Sequence, residues 1–474
     1  MMRRAVVLIL ASAGLCAAAD LAQRLATAVQ SAPASVRGVT GIHVVDLASG
    51  ATTYASNENQ LLMPASNLKL FTAALALSRL GPDFRFETSL VREPSGSLVL
   101  VGSGDPSMSG RVYPYDAEAK PIPSLHAFDE IAEGAVAAGL KVVEGDIVGS
   151  DTRYAWSPYP ESWTADDSQH DYGAPVSALA LNDNFVTITI RPGARAGDLA
   201  HVEIDPPFEY FSVDNRVTTG AGTLRVTRVP GSRQILLDGA IGPRAVRTEL
   251  VAVDDPALFA AHALYDALLR RGVRVRGRPA ARHNVLPRNV LYPGTTVFTR
   301  KSPPLAELLR AMLKVSQNLH AEMLLREVGL RTQGQGTVEA GLREMRIFLG
   351  ELQIPASAWV SEDGSGLARN DEVSPRAVTR LLTAMAAGPH RALWRELLPV
   401  GGQDGTLSNR LCCTTDVVSI RAKTGSLSRA VTLSGYADSP ANGKLAFSIL
   451  VNNFSAPSQE VRAWVDRLAS TLVE

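Results

Sequence analysis

Ser66 and Lys69 stand three residues apart in Ser66-Asn67-Leu68-Lys69, a spacing that puts two side chains on one side of a helical turn. A serine hydroxyl attacks a carbonyl only when a base within hydrogen-bond reach takes its proton. Lysine is a reluctant base: holding it neutral at pH 7 against a reference pKa of ~10.4 costs about 4.6 kcal/mol. Partial burial and a second positive charge nearby both lower that cost. The chain has seven lysines, and Lys423, in Lys423-Thr424-Gly425-Ser426, is the candidate for the second charge. Between the two motifs lies Ser316-Gln317-Asn318.

Each motif is the only match in the chain to its pattern: S-x-x-K, S-x-N and K-T-G. Together they point to acyl transfer. Ser66 would be the nucleophile and Lys69 its proton acceptor. Asn318 would hold the Lys69 amine and a substrate amide, and Ser316 would relay a proton to the leaving nitrogen. Lys423 and Thr424 offer a positive, hydrogen-bonding seat for a carboxylate. The backbone N–H groups of Ser66 and Ser426 are the expected oxyanion hole. Other hydrolase layouts have no basis, since the chain contains neither G-x-S-x-G nor H-E-x-x-H.

The elements that must position these residues are partly legible. Gly41 to Tyr54 alternates toward a hairpin with Ser49-Gly50 at its turn. A helix is predicted from Pro64, with Leu68, Phe71, Leu75 and Leu80 as its apolar face and Gly81-Pro82 as its stop. The middle third is strand-rich, with runs at Val99 to Val101, Val186 to Ile190 and Leu224 to Val229. Helical spacing returns at Ala257 to Arg271, at Pro304 to Val315 and after Asn318. Ser419 to Lys423 and Leu445 to Val451 read as neighbouring strands. Val461, Trp464, Val465, Leu468 and Leu472 make an amphipathic last helix, without the basic bias of a membrane-surface anchor.

Composition narrows the class. In 474 residues, 47 basic side chains balance 47 acidic ones, so the charge excess of a nucleic-acid binder is missing. Met1-Met2-Arg3-Arg4, an apolar run and Ala17-Ala18-Ala19 read as a secretory signal peptide cut after Ala19. No stretch is long enough for a transmembrane anchor. Export to the periplasm or another extracytoplasmic space follows as an expectation. Cys412 and Cys413 are adjacent. Their alpha carbons, ~3.8 Å apart, are closer than the usual disulfide range, so two buried thiols are expected rather than a strained bridge.

These motifs resemble those of the penicillin-recognising serine enzymes, and more closely the S13 peptidases of the PBP4 type, D-alanyl-D-alanine carboxypeptidases. Gly102-Ser103-Gly104-Asp105-Pro106, Tyr172-Gly173-Ala174-Pro175, Asp363-Gly364-Ser365-Gly366-Leu367, Gly405-Thr406-Leu407 and Arg421 to Leu427 are similar to recurring segments of that family. Ser316 follows Ser66 by about 250 residues, and Lys423 follows Ser316 by about 107; the long first gap is typical of the family.

The resemblance implies an α/β (α+β) fold, with an antiparallel sheet flanked by helices and nested strand-rich inserted domains. It divides the chain into a signal peptide at 1–19, a catalytic part at 20–89 and 288–474, an inserted domain at 90–176 and 248–287, and a nested insert at 177–247. It also implies peptidoglycan stem peptides as substrates and β-lactams as covalent inhibitors, with carboxypeptidase and endopeptidase action both open and no cofactor. Thr424, Gly425, Ser426 and Leu427 would bind substrate. Asp167 matches an acidic position facing the free amino end of a diaminopimelate side chain. Ser426 stands where many relatives have Thr and keeps the hydroxyl. The alternatives are a β-lactamase of the same fold, for which no E-x-x-x-N segment is found, and a non-catalytic wall-binding protein.

Overall fold

The computed structural model describes residues 20–229, 231–285, 292–412 and 420–473. The signal-like segment at 1–19, Cys413 and the 287/288 boundary lie outside the described residues. Two compact units emerge. One contains the described residues up to Pro82, Leu309–Ala321 and the chain from Leu342 on; the other contains Asp83–Leu308 and Glu322–Gly341.

The first unit is built on a five-stranded antiparallel sheet in the order Thr52–Ser56, Val39–Asp46, Gly443–Asn452, Ala430–Ser439, Ile420–Leu427. The expected hairpin is present. Ile420–Leu427 and Gly443–Asn452 are not neighbours, contrary to the sequence reading, because Ala430–Ser439 lies between them. Chain-consecutive strands joined by tight turns pair first with each other, and Gly435 and Asp438 hid this strand from a search for apolar runs.

Side chains alternate between the two faces of a sheet. Ile42, Val44, Val431, Leu433, Phe447 and Ile449 point one way, into a core closed by Val461, Trp464, Val465 and Leu468 of the Ser458–Thr471 helix. That helix packs in the core, as its spacing predicts. His43, Ser434, Tyr436 and Ser448 point the other way. There Tyr436 donates to the Leu382 carbonyl at 2.6 Å and accepts from Trp394 Nε1 at 2.9 Å. Lys423 pairs with Ser434 across the strands, so it shares this second face.

The predicted helix after Pro64 starts as a short 3-10 turn, Ala65–Asn67, and becomes α-helical at Leu68–Leu80. The sequence suggested one apolar face, but every residue from Leu68 to Leu77 is buried. The small residues Ala73, Ala74 and Ala76 on its remaining sides allow close packing all round.

The second unit is strand-rich, as expected. A mixed sheet runs in the order Pro279–Arg282, Ile147–Ser150, Leu98–Val101, Glu87–Arg92, Thr295–Lys301, with parallel pairing among the first three. Further short strands include Phe185–Arg191 and Arg225–Arg228. The helices His126–Ala137 and Pro256–Arg270 contribute Phe128, Ile131, Phe259 and Leu264 to its core. Asp255 caps the second helix by accepting from Leu258 N, and Pro256 fits its first turn.

Cys412 is a free, exposed cysteine, so the expected burial fails for this residue. It sits just after Leu411 in an irregular loop rather than in the apolar surroundings that usually hold a free thiol.

Candidate active site

The three motifs meet within the first unit. Ser66 lies in the 3-10 turn and Lys69 in the first turn of the following helix. Lys69 Nζ is 2.9 Å from Ser66 Oγ, 2.6 Å from Asn318 Oδ1 and 2.6 Å from the Ser365 carbonyl. Three acceptors occupy the three directions of an ammonium group. Burial of Lys69 is complete, at 0% exposure, deeper than the partial burial expected. The amine is therefore fixed within proton-transfer distance of the hydroxyl.

The other two motifs form a second pair. Lys423 Nζ donates to Ser316 Oγ at 2.8 Å and to the Thr424 carbonyl at 2.8 Å. Burial, followed by the charges of Lys69 and Arg410, holds the Lys423 pKa well below the usual lysine range. Thr424 Oγ1 donates to Thr406 Oγ1 at 2.8 Å, which ties the Gly405-Thr406-Leu407 segment to the strand.

The strand Ile420–Leu427 is the end strand of its sheet. Ala422 N donates to Pro399 O, away from the partner strand. Backbone groups alternate in direction along a strand, so the N–H groups of Thr424 and Ser426 face that same outer edge. Ser426 is exposed and Leu427 is half-buried at the end of the strand. Gly425 is required by proximity: a Cβ there would meet Thr432 Oγ1 at 2.2 Å, Pro64 O at 2.8 Å and Ser66 N at 3.0 Å. Glycine thus brings the strand edge beside the backbone of Ser66.

Several supports had no structural role assigned to them from the sequence. Thr432 Oγ1 donates to Pro64 O at 2.8 Å, and Asn67 Nδ2 donates to Ser434 Oγ at 2.9 Å; these bonds pin both ends of the 3-10 turn to the sheet. Asp363 accepts from the backbone N–H groups of Ser365, Gly366, Leu367 and Ala368. It thereby shapes the turn that aims the Ser365 carbonyl at Lys69. A Cβ on Gly366 would lie 1.9 Å from Ala65 O, so this turn must also be narrow. The sequence carried a signal for it in Asp363-Gly364-Ser365-Gly366, an acceptor followed by turn residues. Ala65 and Ser316 have φ of +46° and +63°, left-handed values that are uncommon for residues with a Cβ and concentrate at functional sites.

Asp167 belongs to the second unit and is buried. Its Oδ2 accepts from Thr164 N at 2.9 Å and Thr164 Oγ1 at 2.7 Å, so the carboxylate closes a local turn.

Comparison with known proteins places this arrangement. The sequence profile of the D-Ala-D-Ala carboxypeptidase 3 (S13) family matches residues 21–472. A D-alanyl-D-alanine carboxypeptidase from Actinomadura sp. (strain R39) is 34% identical over 454 residues, covering 91% of this chain and 81% of the relative. The crystal structure of penicillin binding protein 4 (dacB) from Haemophilus influenzae superposes with a TM-score of 0.79 at 22% identity, covering 94% of this chain and 99% of that one. The same H. influenzae protein complexed with a β-lactam gives a TM-score of 0.73, also at 22% identity, over 94% and 98% of the two chains. A profile spanning nearly the whole chain, with a relative above 30% identity over most of its length, settles the grouping: this chain belongs to the D-Ala-D-Ala carboxypeptidase 3 (S13) family.

Proposed function

We propose that the chain is an exported serine D-alanyl-D-alanine carboxypeptidase that acts on peptidoglycan stem peptides through an acyl-enzyme on Ser66. The observation that carries this reading is Lys69 Nζ at 2.9 Å from Ser66 Oγ, anchored from two other directions by Asn318 Oδ1 and Ser365 O. A serine beside a buried, fixed amine is the nucleophile and base of an acyl transfer.

In this mechanism Lys69, once neutral, takes the Ser66 proton as Oγ bonds to the carbonyl carbon of the penultimate D-alanine. The carbonyl π pair moves onto oxygen, and the resulting oxyanion is held by the Ser66 and Ser426 N–H groups. Collapse restores the carbonyl and breaks the C–N bond. The proton reaches the departing nitrogen through Ser316, whose Oγ is held by Lys423. Water then attacks the ester, Lys69 takes its proton, and Ser66 is regenerated. Lys423, Thr424 and the strand edge through Leu427 seat the substrate carboxylate and backbone. A D-alanyl cross-link presents the same carbonyl with a different leaving amine, so endopeptidase action uses the same steps.

β-Lactams enter as carbonyl substrates whose leaving nitrogen stays tethered, leaving Ser66 acylated. Residues 1–19 supply the export reading. The test is to incubate the protein with fluorescent penicillin and locate the label by peptide mass. A slowly released adduct on Ser66 that vanishes in Ser66→Ala is expected. A folded protein without an adduct would put the wall-binding reading first, and rapid penicillin turnover would favour a β-lactamase.

A further inference from the structure

Asp363 and Asp371 are two carboxyl groups buried together, at 1% and 0% exposure. Asp363 Oδ1 accepts from the N–H groups of Ser365 and Gly366 at 3.0 and 2.7 Å. Its Oδ2 accepts from Leu367 N at 3.0 Å, Ala368 N at 2.8 Å and Ser365 Oγ at 3.0 Å. Four backbone donors converging on one carboxylate favour its ionised form.

Asp371 is placed differently. Its Oδ1 accepts from Glu362 N at 2.8 Å. Its Oδ2 is buried without a hydrogen-bond donor, and among the described residues no basic side chain pairs with it. The side chain faces Asp363 within hydrogen-bonding reach. Two carboxylates in contact cannot both stay ionised out of water, whereas a carboxylic acid beside a carboxylate supplies the missing donor. Burial, then the Asp363 charge and the bond to Asp363, raise the Asp371 pKa well above the usual carboxylate range, against opposing bonds from Glu362 N and Ser361.

The pair lies where the turn and the nucleophile are held together. Asp371 leads directly into the short strand Glu372–Val373, and Val373 exchanges backbone hydrogen bonds with Leu62 at 2.9 and 3.1 Å, just upstream of Ser66. On the other side of the turn, the Gly364 carbonyl accepts from Thr72 Oγ1 at 2.5 Å and the Ser365 carbonyl from Lys69 Nζ at 2.6 Å. Lys69 and Thr72 are three apart on one helix face. A shift of the turn relative to the strand would withdraw both carbonyls at once.

We propose that Asp371 is a positioning residue for Ser66 and Lys69: as a neutral acid it donates a hydrogen bond from Oδ2 to Asp363, fixing the 363–368 turn so that the Ser365 carbonyl holds the Lys69 amine against Ser66. It acts through Asp363 rather than on the reacting atoms. The inference rests on the proposed Ser66 acyl-enzyme.

The test measures penicillin acylation on the full chain and separates the maximal acylation rate from the half-saturating penicillin concentration, in Asp371→Asn, Asp371→Ala and Asp363→Asn. Asparagine at 371 keeps an N–H donor toward Asp363 and an acceptor for Glu362 N, so it should retain most of the maximal rate. Alanine supplies neither and should lower that rate about tenfold or more, with little change in the half-saturating concentration because the seat at Lys423 and Thr424 is unaltered. Asp363→Asn sets an N–H group against converging backbone donors and should lose at least as much. Infrared spectroscopy at neutral pH gives a readout independent of activity: the carbonyl stretch of a protonated carboxylic acid, present in the unmutated protein and lost in Asp371→Asn. A maximal rate as low in Asp371→Asn as in Asp371→Ala, an unchanged rate in Asp371→Ala, or no band lost in Asp371→Asn would each overturn the inference. If Asp371→Ala does not fold, the two Asn variants decide, and equal loss in both overturns it. Failure of the underlying reading shows separately, as absence of acylation in the unmutated protein, where the infrared band alone decides whether the two carboxyls share a proton.

Discussion

Each nitrogen and hydroxyl at the centre of the site has its neighbours assigned by geometry. Lys69 is aimed at Ser66 by two further acceptors, and Ser316 is held by Lys423. Gly425 shows how narrow the tolerance is, because a single Cβ would collide with Thr432 and the backbone around Ser66. The proposed role of Asp167 toward a substrate ammonium rests on its sequence position and is tested at this scale. Asn in its place keeps a side-chain acceptor for Thr164 while removing the charge. A hydrogen bond to a charged group contributes about 1.5–3 kcal/mol. Asp167→Asn should therefore lower kcat/KM at least tenfold for peptides with a free side-chain amine, relative to peptides without one. Equal loss for both would leave Asp167 as a turn residue alone.

Among the elements, the loop before Gly405-Thr406-Leu407 is held from within. Lys314, in the last turn of Leu305–Val315, donates to the Leu398 carbonyl at 2.7 Å and to Asp404 Oδ2 at 2.5 Å. Asp404 Oδ1 accepts from Val400 N at 2.8 Å. A Cβ on Gly405 would lie 2.5 Å from Lys314 O. Burial lowers the Lys314 pKa, and its bond to Asp404 opposes that shift. Removing one partner of a buried pair leaves an uncompensated charge. Asp404→Ala should thus loosen Thr406 from Thr424, raise KM for a D-alanyl peptide several-fold with a smaller change in kcat, and lower Tm. Asp404→Asn, which keeps one acceptor oxygen but neither the charge nor the second acceptor, should recover only part of both. Thermal unfolding and peptide kinetics on the two variants check this, and a KM unchanged in Asp404→Ala would show that the loop does not position Thr424. None of this was readable in advance, because Lys314 and Asp404 are ninety positions apart and neither belongs to a motif.

On the scale of the whole molecule, one histidine in each unit makes stability depend on pH, and the two act in opposite directions. In the first, burial and then the Arg376 charge lower the His43 pKa to about 4, while its ring nitrogens sit 2.5 Å from Thr379 Oγ1 and 3.1 Å from Thr52 Oγ1. A depressed folded-state pKa gives stability that is present above the ordinary value near ~6.5 and is lost as pH falls through about 4. In the second unit burial opposes the charged form of His283, but hydrogen bonds to Asp151 and Asp255 outweigh it and raise the pKa to about 10. That contribution is complete below ~6.5 and disappears as pH rises through about 10. Tm measured from pH 4 to pH 10 should fall at both ends. His43→Asn should flatten the acid limb and His283→Gln the alkaline limb; limbs unchanged in these variants would remove both histidines from the account. The sequence by itself determined what is local: Ser66 and Lys69 on one side of a helical turn, the helical spacing from Ala257 on, the hairpin at Ser49-Gly50 and the amphipathic last helix. It also determined the identity of the three motifs, because residue type and short spacing are properties of the chain. Only the tertiary structure decided that Ala430–Ser439 separates two strands that looked adjacent, that Cys412 is exposed, and that a carbonyl from Ser365 holds the Lys69 amine. Those outcomes depend on contacts between positions far apart in the chain, where packing and backbone hydrogen bonding, rather than local preference, set which groups meet.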